Sequence, residues 1–360
     1  MSTRVVTGVG AVWPDMAIWV RVRQRVTTSN PTSPIARTIS PSWRIVKFKA
    51  KSSPARIPMT NPTNDSIWAI MTAHNRRNTT LRCLRSLAAQ TSLGWSFKQV
   101  VLVDDGSTDG TADAAREEFP EITVSRQESG DLLWAGGMAV GAQIAIGKGA
   151  DSLWMVNDDV ELDPDALTRI LETRDSWSAT HSTLPWVIGS TRSPADNTTT
   201  YGGWSRKGRV IVRVHLIPAP NTPTLCATTS FNSILIPADR FRALGGFDRR
   251  FPHLRADHDL GYRATKSGDE LVVIPGHIGT CESNSPSVWQ RPTEPMKNRI
   301  RDVQSRKWYP PALSLRYTVR HYGVIGLASF VRPYLIIIKS HVQHRLFTQQ
   351  RNRRRRDVRR

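Results

Sequence analysis

The sequence predicts an α/β protein built on a mostly parallel sheet, and three observations carry that expectation. Val100, Val101, Leu102 and Val103 form an apolar run, three of the four β-branched, which suits a strand covered on both faces. Similar short runs alternate with segments of helical period through the first half of the chain. Two of the runs end in acidic clusters, Asp104-Asp105 and Asn157-Asp158-Asp159, at the strand ends where open α/β sheets hold ligands.

Taken in order, residues 67–72 read as the first strand, followed by the polar loop Ala73-His74-Asn75-Arg76-Arg77 and a helix with Leu81, Leu84, Leu87 and Ala88 on one face. Residues 100–104 give the second strand. Gly106 and Gly110 permit a tight turn after it, and Ser107, Thr108 or Asp109 can cap a helix over 111–119 that Pro120 stops. Residues 122–125 form a third strand, and Trp134-Ala135-Gly136-Gly137-Met138 opens a small-residue helix reaching about Lys148. Residues 152–156 are the fourth strand, and Asp163 as cap with Pro164 in the first turn starts the next helix. Beyond residue 185 the strands shorten, at 186–189, 201–204, 209–214, 233–236 and 271–274, and Arg255 to Arg263 has a polar start that enters a helix. No internal repeat is present.

The chain of 360 residues carries a net charge of +20, which by itself points to nucleic acid or an anionic membrane. Its distribution argues otherwise for the centre. Residues 1–65 hold 10 Lys/Arg against 2 Asp/Glu, residues 351–360 hold 7 against 1, and residues 66–350 are left with 33 against 27. No helix-turn-helix, zinc-finger or RNA-recognition pattern accompanies the charge, so specific nucleic-acid binding through the tails is the weaker alternative. Cys83, Cys226 and Cys281 are odd in number and lack paired spacing, which fits a reducing cytoplasm and no zinc site. Residues 1–65, rich in Pro, Ser, Thr and Arg, read as a poorly ordered basic extension without a secretion signal, and Met59 is an alternative start.

The acidic clusters suit a hard cation such as Mg²⁺ or Mn²⁺, which takes one or two protein carboxylates with phosphate oxygens and water. The bland alternative is a pair of solvated β-to-α turns. A nucleotidyltransferase would want a glycine-rich basic loop after the first strand, and His74-Asn75-Arg76-Arg77 has no glycine.

Six stretches in order, residues 72–76, 103–110, 134–138, 157–159, 245–248 and 257–263, together resemble the family 2 glycosyltransferases, in particular a bacterial, rhamnosyltransferase-like subgroup. That resemblance implies the GT-A fold, a Rossmann-like, mostly parallel sheet flanked by helices with a mixed acceptor-side region. It implies a catalytic domain over 66–280, divided into a nucleotide-sugar half (66–184) and an acceptor half (185–280). A C-terminal helical, apolar segment (281–345) and an Arg-rich tail (346–360) would follow.

By the same resemblance, Ala73, His74 and Asn75 line a nucleotide pocket, and Asp104 and Asp105 bind base and ribose. Gly136 and Gly137 admit the donor to the backbone, Asp158 lies near the donor sugar, and Asp159 holds Mn²⁺ or Mg²⁺. Asn157 stands where the family keeps the first Asp of its Asp-x-Asp motif. The implied reaction moves a sugar from a nucleotide-diphosphate donor, with inversion, to a glycan, lipid-linked or small-molecule acceptor, as in polysaccharide and cell-envelope biosynthesis. Asp257 is the expected base, although Ala256 replaces the acidic residue that often precedes it. Asp259 and Arg263 are spaced to pair on a helix. His277 is either an added metal ligand or part of a surface turn. His258, read as extended, points away from Asp257 and is structural. Trp134 and Trp204 either stack on sugars or fill the core.

Residues 322–338 are apolar apart from Arg332 and Pro333, too short and too charged for a membrane span. A helix on the membrane surface or packed on the catalytic domain remains. The arginines after 350 either meet anionic lipid or stay solvated. A cytoplasmic protein, peripheral on the inner face of the membrane, follows.

Overall fold

Apolar residues at successive positions need cover on both sides, and helices packed on the two faces of a sheet supply it. In the computed structural model, which describes residues 65–92, 95–208, 213–305 and 308–357, strands β1 (Ile67–Ala73) and β2 (Val100–Asp105) are buried at every position and run parallel, Ala73 opposite Asp104. Between them α1 (Arg77–Ala88) turns Leu81, Leu84 and Leu87 inward. Next come α2 (Thr111–Glu118), β3 (Thr123–Gln127), α3 (Leu133–Gly147), β4 (Ser152–Val156), β5 (Glu161–Leu162), α4 (Ala166–His181) and β6 (Trp186–Arg192). The mixed region holds β7 (Thr199–Tyr201), β8 (Gly203–Lys207), β9 (Arg213–Leu216), β10 (Thr224–Leu225), β11 (Thr228–Thr229), β12 (Ser233–Pro237), α5 (Ala238–Ala243), α6 (Ala256–Lys266) and β13 (Leu271–Thr280). The chain closes with α7 (Met296–Val303), α8 (Pro311–Tyr322) and α9 (Leu327–Asp357).

The main sheet has the order β10-β13-β6-β12-β4-β1-β2-β3, with β5 on β13 and β7 on β6. It is parallel from β4 through β3, while β12 runs antiparallel to both β4 and β6. A second sheet, β11-β8-β9, lies apart from it. Alternate strand residues feed two cores: Ile70, Val101, Val103, Leu153 and Ile234 pack on one face, and Ala69, Met71, Leu102, Trp154 and Leu235 on the other. The small residues of α3 bring it close to β1, since a Cβ on Gly137 or Gly141 would overlap Thr72 or Ile70. The described residues form one compact unit, and both expected halves contribute strands to the one main sheet.

Several boundaries move. α4 starts at Ala166 rather than at Pro164, because Asp163 is drawn away to a two-pronged ion pair with Arg192 at 2.8 and 2.9 Å. β13 is ten residues long where four were expected. Pro275 and Gly276 (φ +69°) break its pattern, and the pairing with β6 recovers after register shifts at His277 and Thr280. The 201–204 strand divides into β7 and β8 around Gly202. At the C-terminal end the apolar segment is split: Tyr322 ends α8, and α9 takes in residues 327–338 and continues to Asp357, with Pro333 inside it. Arg299, fully buried, fastens α7 to that helix by donating to Trp289 O (3.0 Å), Ile337 O (3.2 Å) and Ser340 Oγ (2.7 Å). No helix among the described residues is long and apolar enough to cross a membrane. Residues 1–64 of the basic extension with the alternative start at Met59, residues 209–212 of the expected 209–214 strand and the last three residues lie outside the described residues.

Candidate active site

The parallel register brings the ends of β1, β2 and β4 side by side, so the loops after them meet. Asn75, in the left-handed region (φ +53°), receives the Thr108 amide on its Oδ1 at 2.7 Å and gives its own amide to Ser107 Oγ at 2.9 Å. His74 Nδ1 lies 2.5 Å from the carbonyl oxygen of Asp105. Asp109 accepts the amides of Arg77 (2.9 Å) and Thr111 (3.1 Å), tying the starts of α1 and α2 together. Gly106 is required twice over: its φ is +69°, and a Cβ there would stand 2.8 Å from the backbone nitrogen of Gly130.

Asp104 and Asp105 divide their tasks. Asp105 is spent within the protein, accepting the Leu132 amide at 3.2 Å and the Leu133 amide at 2.9 Å, which holds the entry to α3. Asp104 accepts Ser107 N at 3.2 Å on one oxygen. Its other oxygen is buried with no hydrogen-bond partner among the described residues, Arg126 Nε standing 4.0 Å away. A buried acceptor without a donor is costly, and a ligand N–H or hydroxyl would relieve it. Gly137 serves helix–sheet packing, as its overlap with Thr72 shows, and Gly136 faces Leu132 of the preceding turn. Packing thus requires glycine at 137.

Asn157 Oδ1 accepts Trp134 Nε1 at 2.8 Å. Asp158 turns inward, with Thr80 Oγ1 at 3.4 Å and Arg76 Nη1 at 3.1 Å. Burial pushes its carboxyl up to about 7 against the pull of Arg76, and Asp159 adds to the rise. Asp159 stays partly exposed, with Arg76 Nη2 at 2.9 Å and Cys281 Sγ at 3.5 Å. His277 shares a 2.9 Å hydrogen bond with Thr199 Oγ1. Among the described residues no three His, Cys, Asp or Glu side chains converge on a metal-sized site.

Asn157, Asp159 and Asp257 open onto one cavity of about 570 Å³, walled by the mixed region and by α8 and α9. Ala73, His74, Asn75, Asp104, Asp105, Gly136, Gly137, Asp158 and His277 do not line it. Asp257 stands half-buried in the first turn of α6, its Oδ1 accepting the His258 amide at 2.7 Å. Burial raises its carboxyl above the ordinary value, and His258 tempers the rise. His258 itself lines the cavity with its ring 5.4 Å from Trp204. The segment is helical rather than extended, so period-two reasoning placed His258 on the wrong side. Trp134 and Trp204 both reach the cavity, Trp134 packing edge-on against Phe247 at 5.3 Å.

Beneath Asp257 lies a charged network. Asp259 is fully buried and receives Arg263 Nε, Arg320 Nη1 and His321 Nε2, each at 2.8 Å. Arg320 also donates to Asp248 at 2.9 Å, so α8 clamps the 245–250 turn to α6. The i, i+4 spacing foretold the Arg263 contact; the α8 partners, some sixty residues on, had no local signal. Arg76, Cys281, Arg255 and Arg332 likewise entered the site unforeseen, through contacts distant in sequence.

Comparison with known proteins gives the same direction. Residues 68–198 match the model of Glycosyl transferase family 2. The chain is also 27% identical over 203 residues to the N-acetylglucosaminyl-diphospho-decaprenol L-rhamnosyltransferase of Mycobacterium tuberculosis, in strains CDC 1551 and H37Rv. That stretch is 49% of this chain and 64% of the relative in each case.

Proposed function

We propose, from a chain whose residues 68–198 carry a family 2 glycosyltransferase domain, that the protein transfers a sugar from a nucleotide-diphosphate donor to a lipid-linked glycan acceptor with inversion. The observation that carries this reading is the shared cavity: Asp159, at the end of β4, and Asp257, at the start of α6, face one space large enough for a sugar acceptor. Asp104, with its unsatisfied oxygen, is the residue best placed to receive a donor N–H or hydroxyl beside the His74-Asn75 loop.

In the transfer, Asp257 accepts the acceptor's hydroxyl proton as that oxygen bonds to the anomeric carbon. The bond from this carbon to the diphosphate oxygen breaks on the opposite side, and the nucleoside diphosphate leaves. Asp159 offers one cavity-facing carboxylate, the number Mg²⁺ or Mn²⁺ uses when substrate phosphates and water complete its shell. Held there, the ion would offset charge on the leaving diphosphate. Arg76 spans Asp158 and Asp159 and keeps the two carboxylates compatible at close range.

A lipid-linked acceptor and a membrane surface are supported by α9. Leu327, Val331, Leu335, Ile338, Val342 and Leu346 follow a spacing of three and four, and each is at least 40% exposed, so they make one apolar stripe. Seven arginines in the final ten residues of the chain suit anionic headgroups beside it. Peripheral attachment to the inner face of a membrane follows from this reading. The rhamnosyltransferase relatives, whose name specifies a diphospho-decaprenol acceptor, favour rhamnose as the sugar and a lipid diphosphate as the acceptor's carrier.

The test is binding and turnover of UDP-, dTDP- and GDP-sugars with and without Mn²⁺. Wild type should select one donor with metal, Asp159→Ala should lose it, and Asp257→Asn should bind donor but not turn over. Absence of binding to every nucleotide sugar would refute the catalytic reading.

A further inference from the structure

The cavity holds two guanidiniums that the transfer chemistry does not use. Arg255 precedes α6 in the left-handed conformation (φ +72°), which a residue with a Cβ adopts only at some cost. Its guanidinium is sandwiched between Tyr309 at 4.6 Å and Tyr317 at 4.5 Å, so its direction is fixed by aromatic faces rather than by a carboxylate. Its one hydrogen bond in view is a long one, 3.4 Å to Ser314 O. Arg332, exposed, lines the cavity from α9 together with Ser329, Pro333 and Ile336. Among the described residues neither arginine has an acidic partner, and the two carboxylates that line the cavity are already engaged, Asp159 by Arg76 and Asp257 by the His258 amide.

We infer that Arg255 and Arg332 form an anion clamp for the diphosphate that joins the acceptor sugar to its lipid. The inference rests on the transferase reading and deepens it by naming what reads the acceptor. Asp257 at the α6 start meets the acceptor hydroxyl, and Trp204 and His258 line the same cavity. Arg255 enters it from the residue before α6 and Arg332 from α9. Arg332 borders the exposed stripe that runs from Leu327 to Leu346, an apolar surface along the helix for the chain that follows the phosphates. The aromatic faces fix the direction of the Arg255 guanidinium but accept none of its N–H groups, and two phosphates supply charged acceptors for it and for Arg332.

The experiment measures binding of farnesyl diphosphate and of farnesol by quenching of tryptophan fluorescence, with the tightest nucleotide of the donor panel and Mn²⁺ present at saturation. Trp134, Trp204 and Trp289 line the cavity and report on it. Arg332→Gln and Arg255→Gln should each weaken farnesyl diphosphate about tenfold and leave farnesol and nucleotide binding unchanged. Arg255→Lys, which keeps the charge, guards against a folding defect at that position and should lose less than Arg255→Gln. Equal losses for farnesol and farnesyl diphosphate, no loss in either variant, or displacement of farnesyl diphosphate by the nucleotide would each overturn the clamp. Arginine-dependent binding in a protein that binds no nucleotide sugar would uphold the clamp and refute the transferase reading, so the two failures are separable.

Discussion

Replacing Arg320 by leucine keeps the side-chain bulk and removes the charge that joins α8 to α6. Two charge-assisted hydrogen bonds are lost, to Asp259 at 2.8 Å and to Asp248 at 2.9 Å. Such bonds contribute about 1.5–3 kcal/mol each when buried. Two facts lower the sum: Arg320 is 28% exposed, and each carboxylate keeps other partners, Arg263 and His321 for Asp259 and Arg250 for Asp248. The expected loss is about 2–3 kcal/mol, a fall in Tm of roughly 4–8 °C for a unit of this size. Thermal unfolding followed by near-ultraviolet circular dichroism at pH 7.5 measures it, with Arg82→Leu as control for a pair that is half exposed on both sides. The pH dependence adds a second check. Burial alone would raise the Asp259 carboxyl, but His321, Arg263 and Arg320 overcome it and hold the group below the usual range. Its stabilisation is therefore complete above an unfolded-state pKa of about 3.9 and is lost as pH falls further, so the gap between wild type and variant should narrow below pH 4. A Tm equal to that of Arg82→Leu, or a difference abolished by 0.5 M NaCl, would show that the network is a screened surface feature and refute the buried-clamp argument.

The other expectations are brief. Gly137→Ala should destabilise the protein by about 1–2 kcal/mol, because strain against Thr72 outweighs the helical gain of alanine, while donor affinity stays the same; a weakened donor affinity with unchanged Tm would return Gly137 to the donor site. Asp105→Ala should cost about 1–3 kcal/mol by freeing the Leu132 and Leu133 amides, read by urea unfolding, and a stability equal to wild type would contradict that role. Burial raises the thiols of Cys83, Cys226 and Cys281, so the native protein should react slowly with a thiol-specific disulfide reagent and all three should react promptly in urea; fast labelling without denaturant would show an accessible thiol.

What was legible in the sequence was whatever repeats locally. The runs at 67–72, 100–104 and 152–156 gave three central strands because each is apolar at consecutive positions, and Asp259 announced Arg263 by its helical spacing. Roles within the acidic clusters were not legible in the same way. Asp104 and Asp105 are adjacent in the chain, yet one faces Leu132 and Leu133 and the other retains a free oxygen, a division set by the path of residues 128–133. Asp158 and Asp159 part company for a similar reason: alternate residues leave a strand end in opposite directions, one toward Thr80 and one toward the cavity. The length of α9 was hidden because Pro333 and the change from apolar to basic composition resemble boundaries, while Arg299, 38 residues before its partner Ile337, supplies the fastening.

The place of β12 between β4 and β6 also bears on how the chain emerges from the ribosome. Val156 pairs with Ser233, so the open edge of β4 waits for a segment made 77 residues later, roughly 4–15 s at ordinary rates of synthesis. Until then the completed β1 to β4 face presents unpaired backbone and the apolar side chains Trp154 and Met155 to other nascent chains. A fragment cut at residue 198 would keep that edge permanently and aggregate, whereas one reaching past Thr280 would close it. The smallest piece that can be born soluble is therefore set by the order of pairing, and it is longer than the segment in which the family likeness is written.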